Sequence, residues 1–289
     1  MATRSNAGRS AYGAATVRAT EAFVPQGMRL FEDHLILDFL PRLARILVKR
    51  AWIRGPLMAL MERGAPGIAG ALLCRTRAID DVVKAGIARG LRTVVILGAG
   101  LDTRPYRLAE LRDAAVLEVD LPAVQAFKKT KLARRFGTLP EHVRFVPIDF
   151  NTERLDAALA KGGLDAREPA IFIWEGVSQY LHPATVDEVL RTIASRPKGS
   201  ELVFTYVLLE VVTGHFRADR SEAFRKGASR RPEPWLFGIE PSGLETFLGD
   251  SGLTLCGDWG AEDYQAHYLR PMGRQLAVSG IERVALARV

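Results

Sequence analysis

The chain has 289 residues, a length that suits one large domain or two modest ones with a sizeable core. It is 48% hydrophobic and 25% charged, with 26 Gly and 15 Pro, which excludes a disordered chain, a collagen-like fibre and a disulfide scaffold. Its 40 basic and 33 acidic side chains give a net charge of +7, which permits a nucleic acid or an anionic substrate as partner without requiring either.

The positive surplus lies in the first third of the chain. Residues 1–90 contain 14 basic and 7 acidic side chains, whereas residues 91–289 contain 26 of each. Because the second part has no net positive charge with which to follow a phosphate backbone, we expect no nucleic-acid partner.

Cysteine and histidine usage gives no sign of a metal site or a disulfide. Cys74 and Cys256 have no Cys or His neighbour at metal-ligand spacing. No run reaches the roughly 18 apolar residues of a membrane span, and residues 1–20 lack the apolar segment of a secretory signal. We expect no metal, no membrane partner and a cytoplasmic location, with a transit peptide at the start as an alternative.

The first 90 residues have helical periodicity and no strand signal. A Gly/Pro cluster at 64–70 predicts a loop, and apolar residues recur at helical spacing over 71–87. We therefore predict a helical N-terminal lid over residues 1–90, followed by a core over 91–289.

From residue 93 onward, strands alternate with helices. The predicted strands are 93–97, 115–119, 143–146, 170–174 and 201–207, with helices over 104–111, 122–136, 155–160 and 185–194. Such alternation is typical of a parallel sheet with helices on both faces. A helix over 241–248 and strands over 252–256 and 282–289 complete the α/β core, and the basic segment 214–234 predicts an insertion near 210–240.

A Gly-rich turn follows the first strand. Gly98 and Gly100 leave a buried β-branched run, as in α/β folds that bring backbone close to a ligand at the carboxyl edge of the sheet. An ordinary strand–helix turn is the alternative interpretation of these two glycines.

The next two strands also end in candidate ligand-binding residues. Asp120 lies 22 residues beyond Gly98, where an acid accepts hydrogen bonds from ribose hydroxyls. Asp149 and Phe150 end the third strand, a carboxylate for an adenine amino group beside an aromatic ring to pack on it. Asp149 as the N-cap of a following helix is the alternative.

The residues that follow Gly100 disfavour a pyrophosphate. A dinucleotide site requires Gly or Ala where this chain has Thr103, and Asp102 places a negative charge near the helix start. An adenosine without phosphates fits better, as in S-adenosylmethionine.

Four segments form a characteristic set: RTRAIDD at 75–81, LGAGLDTR at 97–104, EVDLP at 118–122 and WEGVSQYL at 174–181. In these segments the sequence resembles the leucine carboxyl methyltransferase family, in particular its bacterial small-molecule branch, from about residue 12 to the C-terminus. The resemblance implies a class I S-adenosylmethionine-dependent methyltransferase with a Rossmann-like seven-stranded sheet of order 3-2-1-4-5-7-6 under a helical N-terminal lid.

The resemblance also implies roles for particular residues in binding S-adenosylmethionine. Gly98 and Gly100 would line its methionine part, Asp120 with neighbouring Leu121 would hold the ribose, and Asp149 with Phe150 the adenine. Glu175 would approach the amino group, and Arg75 or Arg77 would pair with the carboxylate. Phe150 departs from the leucine usual in the family, which should alter packing on the adenine.

Simpler roles for these charged residues stay open. Glu175 could instead cap a helix or pair with an arginine. Arg75 and Arg77 lie two residues apart on one helix and point in different directions, so at least one should lie on the surface or in a salt bridge.

The acceptor side is less marked in the sequence. A hydroxyl acceptor usually needs a base, whereas a carboxylate is already ionised at neutral pH. Tyr206 at the end of strand five and His215 beyond it are candidate catalytic residues, and Arg217 with Arg220 could clamp a carboxylate.

The sequence thus predicts an O-methyltransferase acting on the carboxylate or hydroxyl of a small molecule, and the basic lid favours an anionic acceptor. The alternatives are a protein C-terminal carboxyl methyltransferase, a nicotinamide-dependent oxidoreductase, and a cofactor-binding module without catalysis.

Overall fold

The structure, a computed structural model, describes residues 6–214 and 234–289, with side chains described from residue 11 onward. It contains seven strands: β1 (Thr93–Leu97), β2 (Ala115–Asp120), β3 (Val143–Pro147), β4 (Ile171–Trp174), β5 (Glu201–Val207), β6 (Thr254–Trp259) and β7 (Glu282–Arg288). Every residue of β1, β4 and β5 is buried, as expected for central strands covered on both faces.

All seven strands form one sheet of order β3-β2-β1-β4-β5-β7-β6. The first five run parallel, and β7 pairs antiparallel with both β5 and β6. This order confirms the predicted class I methyltransferase fold. Leu97 pairs with Val119, and Val119 with Val146, so the carboxyl ends of β1, β2 and β3 meet at one edge of the sheet.

Helices cover both faces of this sheet. They are α1 (Asn6–Thr20), α2 (Ile36–Phe39), α3 (Arg42–Lys49), α4 (Ala51–Gly64), α5 (Ile68–Ala88), α6 (Arg104–Arg107), α7 (Pro122–Phe136), α8 (Leu155–Lys161), α9 (Pro183–Ala194), α10 (Leu209–Val212), α11 (Leu244–Asp250) and α12 (Ala261–Tyr264). Among the described residues no strand precedes β1, as predicted.

Three apolar clusters hold these layers together. On one face, Ile79 and Val83 of α5 pack with Val94 and Ile173 of the sheet. On the other face, α8, α9 and α11 pack against Phe172 and its neighbours. A separate small cluster joins α1, α2 and α3 to Leu132 of α7. Within the predicted lid, α5 thus packs directly on the sheet, whereas α1 to α3 form their own cluster.

Several predicted elements differ from those observed. The helix predicted over 241–248 is a 3-10 turn at Pro241–Gly243 followed by α11, and of the loop predicted at 64–70 only residues 65–67 lie between α4 and α5. The helix predicted over 104–111 is α6 followed by a 3-10 turn at Ala109–Leu111, because Leu108 between them is extended. The strand predicted at 252–256 begins two residues later and continues to Trp259 with a bulge between Leu255 and Gly257.

Within the described ranges, no single helix is long and apolar enough to cross a membrane. By length and composition α4 and α5 pass together, but a bend of 100° separates them. Most of α5 is buried in the protein's own core, since it packs against the sheet.

Candidate active site at the carboxyl edge of the sheet

Both glycines of the turn after β1 have backbone conformations that favour glycine. Gly98 has φ +68° and Gly100 has φ +40°. A Cβ on Gly98 would lie 2.4 Å from Cγ2 of Val177, so this position also requires close approach. The turn is fixed to the second strand, because the Gly98 N–H donates to the Val119 carbonyl at 2.8 Å.

Asp120 lies beside this turn and holds it through backbone donors. Its Oδ2 accepts from the Gly100 N–H and its Oδ1 from the Leu121 N–H, each at 2.6 Å. A carboxylate oxygen has two lone pairs, so each oxygen can still accept a hydroxyl. Burial raises the pKa of Asp120, and the two backbone hydrogen bonds oppose that rise. The Leu121 side chain is half-exposed beside it.

Asp149 and Phe150 follow β3 at the same edge. The Ile148 N–H donates to the Asp120 carbonyl at 3.0 Å, which joins this segment to the ribose candidate. Oδ1 of Asp149 accepts from the backbone N–H of Asn151 at 3.0 Å, so the carboxylate closes a local turn. The predicted N-cap role is close to this arrangement, but no helix begins until α8. Phe150 packs half-buried against the core.

Glu175 follows β4 and is held by two arginines. Its Oε1 accepts from Nε of Arg75 at 2.8 Å and its Oε2 from Nη1 of Arg104 at 2.6 Å. Burial opposes ionisation, but the charges of Arg104 and Arg75 outweigh it and hold the pKa of Glu175 well below its ordinary value. Glu175 is therefore an ionised carboxylate at neutral pH, and pairing with an arginine is what the structure shows.

The two candidate arginines of α5 have different surroundings. Arg75 bridges Glu175 and Glu282, with its Nη1 2.6 Å from Oε2 of Glu282. Arg77 instead donates from Nε to Asp81, one turn along α5, and lies over the Tyr268 ring. Of the pair, Arg75 is thus the one that the structure brings to Glu175.

A buried arginine that we did not predict lies at the centre of the site. Arg104 is 1% exposed and contacts three carboxylates, those of Asp80, Asp102 and Glu175, at 2.8, 2.6 and 2.6 Å. Arg107 donates to both oxygens of Asp80 at 2.6 and 2.7 Å. Asp80, Asp102 and Arg104 all lie in the matching segments, but their roles depend on contacts between distant parts of the chain.

The ion pairs extend into the N-terminal helices. Oγ1 of Thr103 donates to Oδ2 of Asp33 at 2.7 Å and accepts from Nη2 of Arg18 at the same distance. Arg18 also pairs with Asp33, which is completely buried. These contacts fasten α1 and the segment before α2 to the loop after β1.

Together these groups form what we call the edge cluster. Its members are Arg18, Arg75, Arg104 and Arg107 with Asp33, Asp80, Asp102, Glu175 and Glu282. Four guanidinium groups against five carboxylates leave one negative charge in excess when all are ionised. The cluster therefore favours a ligand with a net positive charge.

Tyr206, near the carboxyl end of β5, is engaged by side chains of β6 and β7. Its side chain is fully buried, and its hydroxyl donates to Oδ2 of Asp258 at 3.0 Å, a carboxylate that also accepts from Nε of Arg283. Burial and the neighbouring Asp258 charge raise the pKa of Tyr206. A phenol so engaged is poorly placed to accept a proton from a substrate.

The other candidate residues on the acceptor side are not described by the structure. His215, Arg217 and Arg220 lie outside the described residues, as does most of the predicted insertion. Within the described part of the chain, no three His, Cys, Asp or Glu side chains are grouped as for a metal ion.

Comparison with known proteins finds a matching family and several relatives of this chain. Residues 11–194 match the leucine carboxyl methyltransferase family. A relative from Mycobacterium sp. strain KMS, provisionally named an S-adenosyl-L-methionine-dependent methyltransferase, is 33% identical over 227 residues, 72% of each chain. A protein of the same provisional name from Mycobacterium avium strain 104 is 39% identical over 158 residues, which cover 52% of this chain and 50% of that one.

Two solved structures share the fold. A protein from Thermobifida fusca, provisionally described as a methyltransferase, superposes with a TM-score of 0.58 at 16% identity, covering 95% of this chain and 93% of that one. A DUF574 family protein from Streptomyces avermitilis superposes with a TM-score of 0.54 at 19% identity, covering 82% and 90%. These two similarities concern the fold alone.

Proposed function

Because this chain belongs to the leucine carboxyl methyltransferase family and is an S-adenosylmethionine-dependent methyltransferase, we propose that it methylates an oxygen of a small molecule. The acceptor oxygen belongs to a carboxylate or a hydroxyl, and the carboxylate is favoured. When bound, S-adenosylmethionine would supply a methyl group on a sulfonium; the acceptor oxygen would bond in line to the methyl carbon as the carbon–sulfur bond breaks, with S-adenosylhomocysteine as the leaving group.

The observation that carries the proposal is the meeting of three kinds of group at one sheet edge. Gly98 allows the turn after β1 to pack against Val177, Asp120 offers two oxygens to the ribose hydroxyls, and Glu175 offers an ionised carboxylate to an ammonium group. Arg75 lies beside Glu175 for the cofactor's carboxylate. These residues fit an adenosine with a methionine attached.

The charge of the edge cluster supports the same cofactor. S-adenosylmethionine has an ammonium, a sulfonium and a carboxylate, a net charge of +1. The edge cluster has one excess negative charge, and Asp120 adds a further carboxylate close by. Loss of the methyl group removes the sulfonium charge, so electrostatic attraction for the product is weaker, which helps its release.

Within the described residues, the state of Tyr206 favours a carboxylate acceptor. Its hydroxyl is bound to Asp258 and its pKa is raised, so it is not a free base for a hydroxyl. A carboxylate needs no proton removed, and positioning beside the methyl group is then enough for catalysis. The basic surplus of residues 1–90 supports an anionic acceptor as well.

A product assay with methyl-labelled S-adenosylmethionine tests the proposal on matched pairs of small carboxylic acids and phenols. We expect label in products that release methanol under mild alkali, as esters do and aryl ethers do not. Label only in ethers would establish a hydroxyl acceptor, and label only in protein would establish a protein carboxyl methyltransferase.

Calorimetry completes the test. Binding of S-adenosylhomocysteine without turnover of any acceptor would support the cofactor-binding module. Binding of NAD without S-adenosylhomocysteine would overturn the cofactor assignment.

A further inference from the structure

The helices α3 and α4 hold the most exposed large apolar side chains of the described residues. Trp52 is 76% exposed, Leu43 68% and Leu60 65%, whereas no other large apolar side chain exceeds 45%. No residue of α4 is buried, and Val48 alone is buried in α3. An exposed group of this kind on a folded protein marks an interaction surface.

The same two helices are rich in basic residues, and their one acidic residue, Glu62, lies near the end of α4. Residues 41–61 contain five basic side chains and no Asp or Glu. Arg45 approaches Asp38, and Arg54 donates to the Val48 carbonyl. Arg42, Lys49 and Arg50 are exposed and form no ion pair within the described part of the chain.

We name the basic apolar patch by its six members, Arg42, Leu43, Ile46, Lys49, Arg50 and Trp52. Leu43 and Ile46 are one turn apart on α3, and Trp52 is the second residue of α4, which is separated from α3 by Arg50 alone. Within eleven residues the surface thus combines three exposed apolar side chains with three unpaired positive charges.

In contrast to the sequence-based expectation of no membrane partner, we propose that the basic apolar patch docks on an anionic lipid bilayer. The apolar side chains enter the boundary between headgroups and acyl chains, and the three cations contact lipid phosphates. An indole favours that interface, since it has an apolar body and a polar N–H. The 100° bend and the burial of α5 mean that this segment lies on the bilayer and does not span it.

Charge favours lipid over a second copy of the chain. A symmetric contact through this patch would bring together six cations that have no ion pair among the described residues, and residues 41–61 contribute no carboxylate to it. An anionic surface instead neutralises all three on each molecule.

Sedimentation with vesicles tests the proposal on the full chain. Vesicles of phosphatidylcholine with phosphatidylglycerol should bind the protein, vesicles of phosphatidylcholine alone should bind it far less, and added salt should release it. Replacing Arg42, Lys49 and Arg50 by Gln should weaken binding about 100-fold, at about 5-fold per cation.

A matched control distinguishes the effect of this patch on vesicle binding from the effect of the protein's total charge. Replacing Arg154, Arg167 and Arg191 by Gln removes the same charge from exposed sites elsewhere, and vesicle binding should fall much less. Both triple variants should bind S-adenosylhomocysteine like the wild type, which shows that they fold. The emission of Trp52, taken as the difference from Trp52→Phe, should shift to the blue on vesicles.

Three results would overturn the proposal. They are failure of the wild type to bind anionic vesicles, equal loss of binding in the two triple variants, and a dimer in sedimentation velocity that Trp52→Asp converts to monomer. The last result would assign the patch to contact between copies.

Discussion

The edge cluster and the basic apolar patch both contain arginines, but these arginines have opposite surroundings. Arg104 is 1% exposed and surrounded by three carboxylates, while Arg50 is exposed at the junction of α3 and α4 without an ion pair among the described residues. The net charge of +7 counts both alike. The positive charge that matters for partners is therefore the exposed charge that has no ion pair among the described residues, because the buried arginines already have carboxylates as counterions.

The largest expected effect comes from the same substitution made in both regions. Arg104→Met leaves Asp80, Asp102 and Glu175 buried without their common partner, and should lower the free energy of unfolding by roughly 3–5 kcal/mol. Arg50→Met should change it by less than about 0.5 kcal/mol. Urea denaturation of both variants measures this, and similar losses would contradict the distinction between the two regions.

The second prediction compares a crowded glycine with an open one. Gly98→Ala adds a methyl group 2.4 Å from Val177 in a left-handed conformation, and should cost roughly 2–4 kcal/mol and weaken S-adenosylhomocysteine binding. Gly137 has φ +81°, but no atom lies within 4 Å of the position that a Cβ would take. Gly137→Ala should therefore lower the free energy of unfolding only by the backbone strain of about 1–2 kcal/mol. Equal thermal unfolding shifts would show that close approach at Gly98 has no role.

The third prediction compares two aspartates at the level of binding. We propose that Asp120 accepts the ribose hydroxyls; Asp120→Asn removes its charge and should then weaken S-adenosylhomocysteine affinity about 10- to 100-fold. Asp156→Asn, at an exposed position, should leave the affinity unchanged. Calorimetry measures both affinities, and circular dichroism verifies the fold. Unchanged affinity in Asp120→Asn would remove the ribose assignment.

The smallest expected effect is a pH dependence. The folded-state pKa of Glu175 is lowered, because Arg104 and Arg75 outweigh the burial that opposes ionisation. Its contribution to stability is therefore complete above the ordinary glutamate pKa of about 4.3 and is lost as the pH falls from there toward the folded value.

Glu175→Gln should accordingly be less stable at neutral pH but lose less further stability on acidification than the wild type. Glu245→Gln, at an exposed position, is the matched control for the same change of side chain. Urea midpoints across an acid series measure the slopes, and parallel slopes in all three proteins would contradict the assigned ionisation of Glu175.

Much of the fold was predictable from local pattern, and the matching segments supplied the strand order. The β-branched run of β1 and the start of α7 at Pro122 have local causes that a short window of sequence contains. The ends of β6 were not predictable in this way, because its bulge at Leu255–Gly257 follows from its pairing with β7.

The site was predictable only in part, for the same reason. Gly98 follows β1 and Asp120 is the last residue of β2, so their meeting at one edge follows from the parallel pairing of these two strands. The separation of Arg75 from Arg77 depends on where Glu175 and Glu282 lie, 100 and 207 residues from Arg75. Tyr206 likewise finds Asp258 only after the last two strands have paired.

The position of β7 has a consequence for how the chain reaches its final form. β7 is the most C-terminal strand of the described residues. It lies between β5 and β6 in the sheet, and β6 therefore pairs with β7. During synthesis β6 therefore cannot pair with β7 until residues 282–288 have been made. Until then, Arg75 also cannot form its ion pair with Glu282. We expect that chains stalled before residue 282 are sensitive to protease across β6, and that pairing of β7 completes the sheet and the ion pair between Arg75 and Glu282 together.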